Sequence, residues 1–333
     1  MPAYNAARFL PRSLPAALLA ARGAGVLVVD PGSDDGTAEL AERLGAQVVR
    51  LGHRAGPALA RNRGVESVES EVVLFIDADC VCHPDVVERV ARAFEDPALV
   101  SLVGSYDLDP PERNFFSQYM NLRHHFVHQR AQREGAGFWG GCGAVRSATF
   151  RKLGGFDAEL YPSPMIEDIE LGLRLRTAGR TCLDPELQVT HLKRWTFRSV
   201  VETDIKCRAI PWGKLILKTG KLPNDLNLAW RERVAAALAP FALVSLVLGP
   251  LFLLLARPIL AAGCGIFVLL AVWMHSRLLR FFASVRGVGV ALGVFVFHQV
   301  HLTYSAITMA LLTAQHLWSA RVANSARTRA GQG

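Results

Sequence analysis

Short apolar runs alternate with amphipathic segments over the first hundred residues of the chain. The apolar runs predict buried strands, and the segments between them have the spacing of helices with one apolar face. The predicted strands are 26–30, 47–51, 73–76 and 99–106, and the predicted helices are 38–44, 57–68 and 84–94. Strands that alternate with helices in this way indicate an α/β domain with a largely parallel sheet.

The pattern changes after residue 233, where long stretches lack Asp, Glu, Lys and Arg. These stretches are 234–256, 258–274 and 287–315. Because roughly 20 apolar residues cross a bilayer core, they predict two to three transmembrane helices within 234–318. Residues 200–233 mix lysine and arginine with large apolar side chains, which predicts an amphipathic segment on the lipid surface. Residues 319–333 are predicted to be a disordered basic tail.

Charge adds a predicted orientation to this membrane assignment. The net charge is +8, and many basic residues lie next to the predicted spans. Arg231 and Arg233 precede the first span and Arg277, Arg280 and Arg286 follow the second, so the positive-inside rule favours a cytoplasmic amino-terminal domain. We therefore expect a multi-pass protein of the plasma (inner) membrane and no nucleic-acid partner. The basic tail also favours the cytoplasm, which conflicts with three spans unless one segment is re-entrant or interfacial.

Two carboxylates follow the most apolar predicted strand. Val73–Ile76 is followed by Asp77, Ala78 and Asp79. Ligands of open α/β sheets bind at the carboxyl ends of strands, and paired carboxylates there hold hard cations such as Mg²⁺. The alternative is a strand end followed by a helix cap. The six cysteines show no zinc spacing and are interpreted as reduced thiols.

Further motifs follow one another along the chain: Pro-Ala-Tyr-Asn at 2–5, Val-Val-Asp-Pro-Gly-Ser-Asp-Asp-Gly-Thr at 28–37, Ala-Arg-Asn-Arg-Gly at 60–64, Asp-Ala-Asp at 77–79, Gly-Gly-Phe-Asp at 154–157, Glu167-Asp168 and His191. In this order they resemble glycosyltransferase family 2 over residues 1 to about 215. The resemblance implies a GT-A fold (a Rossmann-like, mostly parallel sheet) over 1–199, nucleotide-sugar donors and inversion at the anomeric carbon. No strand precedes residues 2–5, so we expect an upstream start codon or a truncated chain.

The resemblance also assigns roles to the donor side of the site. Asp79 is expected to bind Mg²⁺ or Mn²⁺ together with His191, and Asp77 to reach the ribose or the metal. Asp30 is expected to contact the nucleotide, although Pro31 replaces the second acidic residue that is common there. Arg61 is expected to approach the nucleotide; the alternative is a surface arginine on a helix.

On the acceptor side, Asp168 resembles the general base of the family, with Glu167 in support. The alternative is an acidic helix start favoured by the helix dipole. Gly140 and Gly141 resemble the region around donor sugar and acceptor, and otherwise form a plain turn. Arg194 and Trp195 loosely resemble part of the Gln-x-x-Arg-Trp motif of processive synthases, with His191 in the glutamine position. They are expected to hold a diphosphate and to stack on the acceptor, respectively.

These observations predict a metal-dependent inverting glycosyltransferase of envelope polysaccharide or glycolipid synthesis. The donor is expected to be a nucleotide sugar, with UDP weakly favoured, and the acceptor a lipid-linked or membrane-proximal molecule. One alternative is a processive polysaccharide synthase. Another, of a different class, is a membrane scaffold without catalytic activity.

Overall fold

The structure, a computed structural model, describes residues 1–220 and 230–330, with the backbone alone for 320 and 322–330. The chain divides into two compact units, one of Met1–Thr196 and a second that begins at Phe197. The first unit contains both sheets.

The larger sheet has five strands in the order β3-β6-β5-β7-β4. Its strands are β3 (Val72–Ile76), β4 (Cys80–Cys82), β5 (Leu99–Tyr106), β6 (Cys142–Arg146) and β7 (Arg180–His191). Only the β5–β7 pair is parallel among these neighbours, whereas β3–β6, β5–β6 and β4–β7 are antiparallel. The sheet is therefore mixed rather than mostly parallel, because β6 returns between β3 and β5 after a glycine-rich segment.

The smaller sheet pairs β1 (Leu27–Asp30) with β2 (Gln47–Arg50) in parallel. The amino-terminal residues run beside β1. Pro2 forms a parallel bridge with Val29, whose N–H donates to the Met1 carbonyl and whose carbonyl accepts from the Ala3 N–H. Residues 1–3 thus hydrogen-bond to β1 at the place where a preceding strand was expected.

Seven helices surround the sheets in the first unit as it is described. They are α1 (Leu10–Ala21), α2 (Thr37–Arg43), α3 (Pro57–Glu66), α4 (Val86–Ala93), α5 (Phe115–Arg130), α6 (Ser147–Lys152) and α7 (Glu167–Ala178). Pro57 begins α3, where its missing N–H leaves no donor unsatisfied. Asn114 caps α5, because its side chain accepts from the Ser117 N–H at 3.1 Å.

An aromatic cluster fills the core beneath β3. Phe75 on that strand packs against Phe138, Phe150 and Phe156, with ring centroids 5.6–6.1 Å apart. All four rings are buried. Such edge-to-face and tilted aromatic pairs add to the hydrophobic stabilisation from burial of the rings. The cluster fixes the end of β3, and therefore the position of Asp77.

The second unit is helical where it is described. It starts with α8 (Phe197–Glu202), a π-helix (Thr203–Ala209) and α9 (Ile210–Thr219), and continues with α10 (Trp230–Leu254), α11 (Pro258–Met274), α12 (Ser276–Arg286) and α13 (Val288–Ala330). The predicted amphipathic segment is helical up to Thr219, and its residues 221–229 lie outside the described residues. Two helices, Trp230–Leu254 and Val288–Ser319, are long and apolar enough to cross a membrane.

The predicted middle span is not one straight helix. Helices α11 and α12 bend by 68° at His275, and together they are long and apolar enough to count as a third span. Such a bend is found in a broken span or in a re-entrant loop. A re-entrant loop here would agree with the charge pattern, which favours the cytoplasm for both the amino-terminal domain and the basic tail. Helix α13 continues to Ala330, so it includes most of the residues for which the sequence predicted a disordered tail.

Candidate active site

Asp77 and Asp79 flank the turn between β3 and β4. The Asp77 N–H donates to the Gly141 carbonyl at 3.3 Å, which ties this turn to the glycine-rich segment before β6. The Asp79 carbonyl accepts from the Leu192 N–H at 2.8 Å, which ties it to the end of β7. Both carboxylates therefore have backbone positions fixed by neighbouring strands of one sheet.

Arg61 joins Asp77 to the start of α7. Its guanidinium donates to Asp77 Oδ1 at 2.7 Å and to Glu167 Oε1 at 3.1 Å. The side chain is 5% exposed, which excludes the alternative of a surface arginine. Burial raises the pKa of Asp77, and the Arg61 charge opposes that rise. The ion pairs unite two motifs that lie far apart in the sequence.

Asp168 lies beside Glu167 in the first turn of α7. Its Oδ2 atom accepts from the Gly140 N–H at 3.2 Å. Burial first, and then the Glu167 carboxylate, raise the pKa of Asp168 to about 7, although Arg61 opposes this. A carboxylate with a pKa near neutrality is suited to accept a proton at physiological pH.

The two glycines of the segment before β6 occupy positions where a side chain would collide. A Cβ atom on Gly140 would lie 2.8 Å from the Arg61 guanidinium, and one on Gly141 would lie 2.5 Å from the Trp139 ring. Gly140 therefore allows Arg61 and Asp168 to approach the same stretch of backbone. These close approaches explain why both positions are glycine even without a bound ligand. The acceptor contacts of Gly140 and Gly141 stay predictions.

Asp79 and His191 form the second half of the site. Cys80 on β4 pairs with His191 on β7, and this pairing brings the preceding residue, Asp79, next to the histidine. His191 Nε2 lies 3.3 Å from Asp79 Oδ2. Burial works to raise the pKa of Asp79, but the His191 ring brings it below its usual value. One atom each from Asp79, Cys80 and His191 lie within 4.8 Å of one another. Burial raises the pKa of the Cys80 thiol well above its usual value, which disfavours the thiolate that a metal would need.

Asn121 on α5 sets the orientation of His191, and the sequence motifs did not reveal it. Its Nδ2 atom donates to the Ser117 carbonyl at 2.9 Å, which places Oδ1 toward His191 Nδ1 at 2.6 Å. His191 therefore donates from Nδ1, and its Nε2 atom faces Asp79. Tyr106 stacks on the imidazole at 4.5 Å and holds its plane. This is the usual arrangement behind a metal-binding histidine.

Asp30 is buried at the end of β1, next to the amino-terminal loop. Its Oδ1 atom accepts from the Ser33 N–H at 2.9 Å and from the Ser33 hydroxyl at 2.6 Å. Asn5 closes the same loop, because its Oδ1 accepts from the Asp34 N–H at 3.1 Å. Asp30 thus shapes a loop, and its predicted nucleotide contact stays a prediction.

Arg194 and Trp195 differ in their accessibility. Arg194 is 68% exposed and forms an ion pair with Glu112 at 3.3 Å. Trp195 is 5% exposed; its N–H on the main chain donates to the Ser117 hydroxyl at 2.7 Å, and the Lys193 ammonium lies 4.1 Å from its ring centroid. This burial counts against the predicted role of Trp195 as a stacking platform for an acceptor.

Comparison with known protein families supports the resemblance described from the sequence motifs. Residues 1–154 match the model of glycosyl transferase family 2. By this match, residues 1–154 form a glycosyl transferase family 2 domain. The match confirms the family resemblance, and it contains Asp30, Arg61, Asp77, Asp79 and the two glycines; Glu167, Asp168 and His191 lie beyond its end.

Curated relatives are also glycosyltransferases. The chain is 31% identical over 191 residues to the pre-mycofactocin glycosyltransferase of Mycobacterium tuberculosis, a match that covers 53% of this chain and 39% of that protein. It is 34% identical over 84 residues to glycosyltransferase AglE of Haloferax volcanii, which covers 24% of this chain and 27% of that protein. The matched region thus spans well under half of either relative.

A solved structure supports the fold. The chain is similar to a mannosyltransferase from Pyrobaculum calidifontis in complex with GDP-Man and Mn²⁺, with 17% identity and a TM-score of 0.55 over 96% of this chain and 86% of that one. The predicted GT-A α/β fold is confirmed, with the mixed sheet described above, and it is followed by helices that are long and apolar enough to cross a membrane.

Proposed function

We propose that this protein is a metal-dependent, inverting glycosyltransferase that moves a sugar from a nucleotide donor to a membrane-proximal acceptor. The observation that carries the proposal is the Arg61 bridge, which links Asp77 of the donor motif to Glu167, the neighbour of Asp168. A donor site and a proton acceptor are thereby held in one framework, as sugar transfer requires.

Asp79 and His191 are the residues that would hold Mg²⁺ or Mn²⁺. The donor set fits, because one ligand is a carboxylate and the other is an imidazole whose Nε2 atom lies 3.3 Å from that carboxylate, while Asn121 binds its Nδ1 atom. A bound divalent cation would stabilise the negative charge that develops on the diphosphate leaving group. The mannosyltransferase of similar fold was solved with GDP-Man and Mn²⁺.

Asp168 would act as the general base toward the acceptor hydroxyl. Inversion needs attack from the face opposite the leaving group, with removal of the hydroxyl proton as the new bond forms. The Gly140 N–H donates to one carboxylate oxygen of Asp168 and holds it in place. Burial raises the pKa of this carboxylate to about 7, close to neutral pH. Glu167 and Arg61 set the charge around it.

The apolar helices of the second unit support an acceptor at the membrane. Two or three of them are long and apolar enough to cross a bilayer, and the basic residues beside them favour a cytoplasmic catalytic domain. The burial of Trp195, together with histidine in place of the motif glutamine, favours transfer of a single sugar over processive synthesis.

The test is a transfer and donor-hydrolysis assay with the full chain in detergent. UDP- and GDP-sugars are screened with Mn²⁺, first by thermal shift, since a ligand that binds the folded state raises the midpoint. We expect one donor to raise the midpoint and to be consumed, and the Asp79→Ala variant to lose both responses. No response to any donor, or full activity in Asp79→Ala, would contradict the proposal.

The pH dependence of kcat/KM should report the base. Because Asp168 acts as a carboxylate and its pKa lies at about 7, kcat/KM should fall about tenfold per pH unit below that value and level off above it. Glu167→Gln removes the neighbouring negative charge, so its ascending limb should move to lower pH. An unchanged limb in Glu167→Gln would assign the titration to another group.

The orientation of His191 gives a prediction for Asn121. Asn121→Ala removes the oxygen that fixes the imidazole, and the loss of such a partner costs about 10- to 100-fold in metal affinity. Asn121→Asp keeps an acceptor oxygen and should retain tight Mn²⁺ binding. Isothermal titration of both variants with Mn²⁺ checks this, and equal affinities in Asn121→Ala and the unmodified protein would contradict it.

A further inference from the structure

A cluster of polar side chains lies among the apolar helices of the second unit. Glu232 belongs to the first turn of α10, His275 stands at the bend between α11 and α12, and His298 belongs to α13. Both histidines are nearly inaccessible, at 6% and 3% exposure, and Glu232 is half-buried. Ionisable residues inside apolar helices are costly to bury, and they are usually there for a function.

The geometry of the cluster matches a metal site. One ligand atom from each of the three residues lies within 4.8 Å of the others. The two imidazole rings are 4.7 Å apart and nearly perpendicular, at 84°. Ligands around a tetrahedral zinc ion are separated by about 3.4 Å, which follows from bond lengths near 2.1 Å. Small side-chain movements would bring these atoms to that spacing.

The tautomer of His275 favours ligation. Its Nδ1 atom lies 2.9 Å from the Ala271 carbonyl, which can only accept, so Nδ1 carries the proton. The Nε2 atom then carries the lone pair that a metal requires. A histidine ligand whose other ring nitrogen donates to a backbone carbonyl is the common arrangement in metal sites.

A polar shell continues from the cluster into the neighbouring helices. Gln299, which is fully buried, places its side-chain amide 3.5 Å from His275 Nδ1. His301 stacks on His298 at 5.8 Å and contacts Asp204 of the π-helix at 3.0 Å. Polar side chains thus lie beside both histidines of the cluster.

We propose that Glu232, His275 and His298 bind one divalent transition metal of the zinc class. Two imidazoles and one carboxylate suit such an ion better than Mg²⁺, which prefers oxygen ligands. The ion would join the start of α10, the bend between α11 and α12, and α13. It would stabilise the bent pair, and its ligands are distinct from Asp79 and His191.

The test uses the full chain in detergent with Asp79→Ala and His191→Ala already introduced, so that the proposed catalytic site contributes no ligands. Bound metal is removed with a chelator, Zn²⁺ is added, and unbound ions are removed by desalting. The zinc content per chain is then measured by inductively coupled plasma mass spectrometry. We expect about one Zn²⁺ per chain and a higher midpoint of thermal unfolding with Zn²⁺ than without it. This outcome does not depend on whether the chain transfers sugars.

Single variants in the same background identify the ligands. His298→Gln and His275→Ala should each abolish both stoichiometric Zn²⁺ and the Zn²⁺-dependent rise of the midpoint. His316→Ala, a histidine change at an exposed position of α13, should retain both. Circular dichroism at the assay temperature confirms that each variant is folded. Less than about a tenth of an ion in the folded background protein, or full Zn²⁺ in folded His298→Gln, would overturn the proposal.

Discussion

Asp168→Asn is expected to lower kcat by about 10²- to 10⁴-fold, the usual contribution of a positioned general base. Asparagine has nearly the same shape and can still accept from the Gly140 N–H, so α7 and the glycine-rich segment should keep their positions. The proton acceptor is lost, while the donor and metal residues remain. The effect should therefore appear in kcat, with donor affinity nearly unchanged.

Asp109→Asn is the matched control for this experiment. The Asp109 side chain is 75% exposed and pairs with the exposed Arg113 at 3.0 Å, so its loss should leave kcat unchanged within error. Steady-state kinetics with the donor identified by the screen would measure both variants, and thermal unfolding would confirm that both are folded. A folded Asp168→Asn variant with undiminished kcat would remove Asp168 from the mechanism.

Arg61→Met is expected to destabilise the first unit by about 3 kcal/mol or more. The substitution removes the cation that pairs with the carboxylates of Asp77 and Glu167. Methionine fills much of the same volume beside Phe156, so the loss reports charge rather than a cavity. Glu167 is 7% exposed and cannot recover its hydration, whereas Asp77 is 34% exposed and contributes less. Activity should be lost as well, since Asp77 and Glu167 would no longer be held together.

Arg63→Met offers a control on the same helix. Arg63 pairs with Glu66 at 2.6 Å, but both side chains are more than half exposed, so the change should stay within about 0.5 kcal/mol. Denaturant titrations of the two variants would measure the difference in the free energy of unfolding. Equal stabilities would mean that the Arg61 ion pairs carry no net stabilisation of the fold.

Local patterns were sufficient to predict the elements with strong periodicity. The prediction for β5 coincides with Leu99–Tyr106, and those for β1, β2, β3 and α2 to α4 differ by a residue or two at their ends. Helices α1, α5 and α6 and strands β4 and β6 were not predicted. β4 has only three residues and β6 follows a glycine-rich segment, so neither has a pattern long enough to identify it. Their antiparallel pairing explains why the sheet is mixed.

The candidate site divides in the same way. Asp77, Asp79 and Asp168 could be found because their motifs are contiguous in the sequence. The central position of Arg61 could not, since it depends on contacts with residues 16 and 106 positions away. Asn121 on α5 carries no sequence signal at all, because only the packing of α5 beside β7 brings it to His191.

The pairing of β4 with β7 restricts how this part of the chain can change in evolution. Side chains alternate between the faces of a sheet, so a slip of one residue would turn His191 to the opposite face from Asp79. The register of β7 against β5 shifts between Leu183 and Gln188. A single insertion or deletion in β7 between this shift and His191 would produce that slip. Length differences among homologues should therefore collect in the loops outside 180–191, while residues of that strand other than His191 can change more readily than its length.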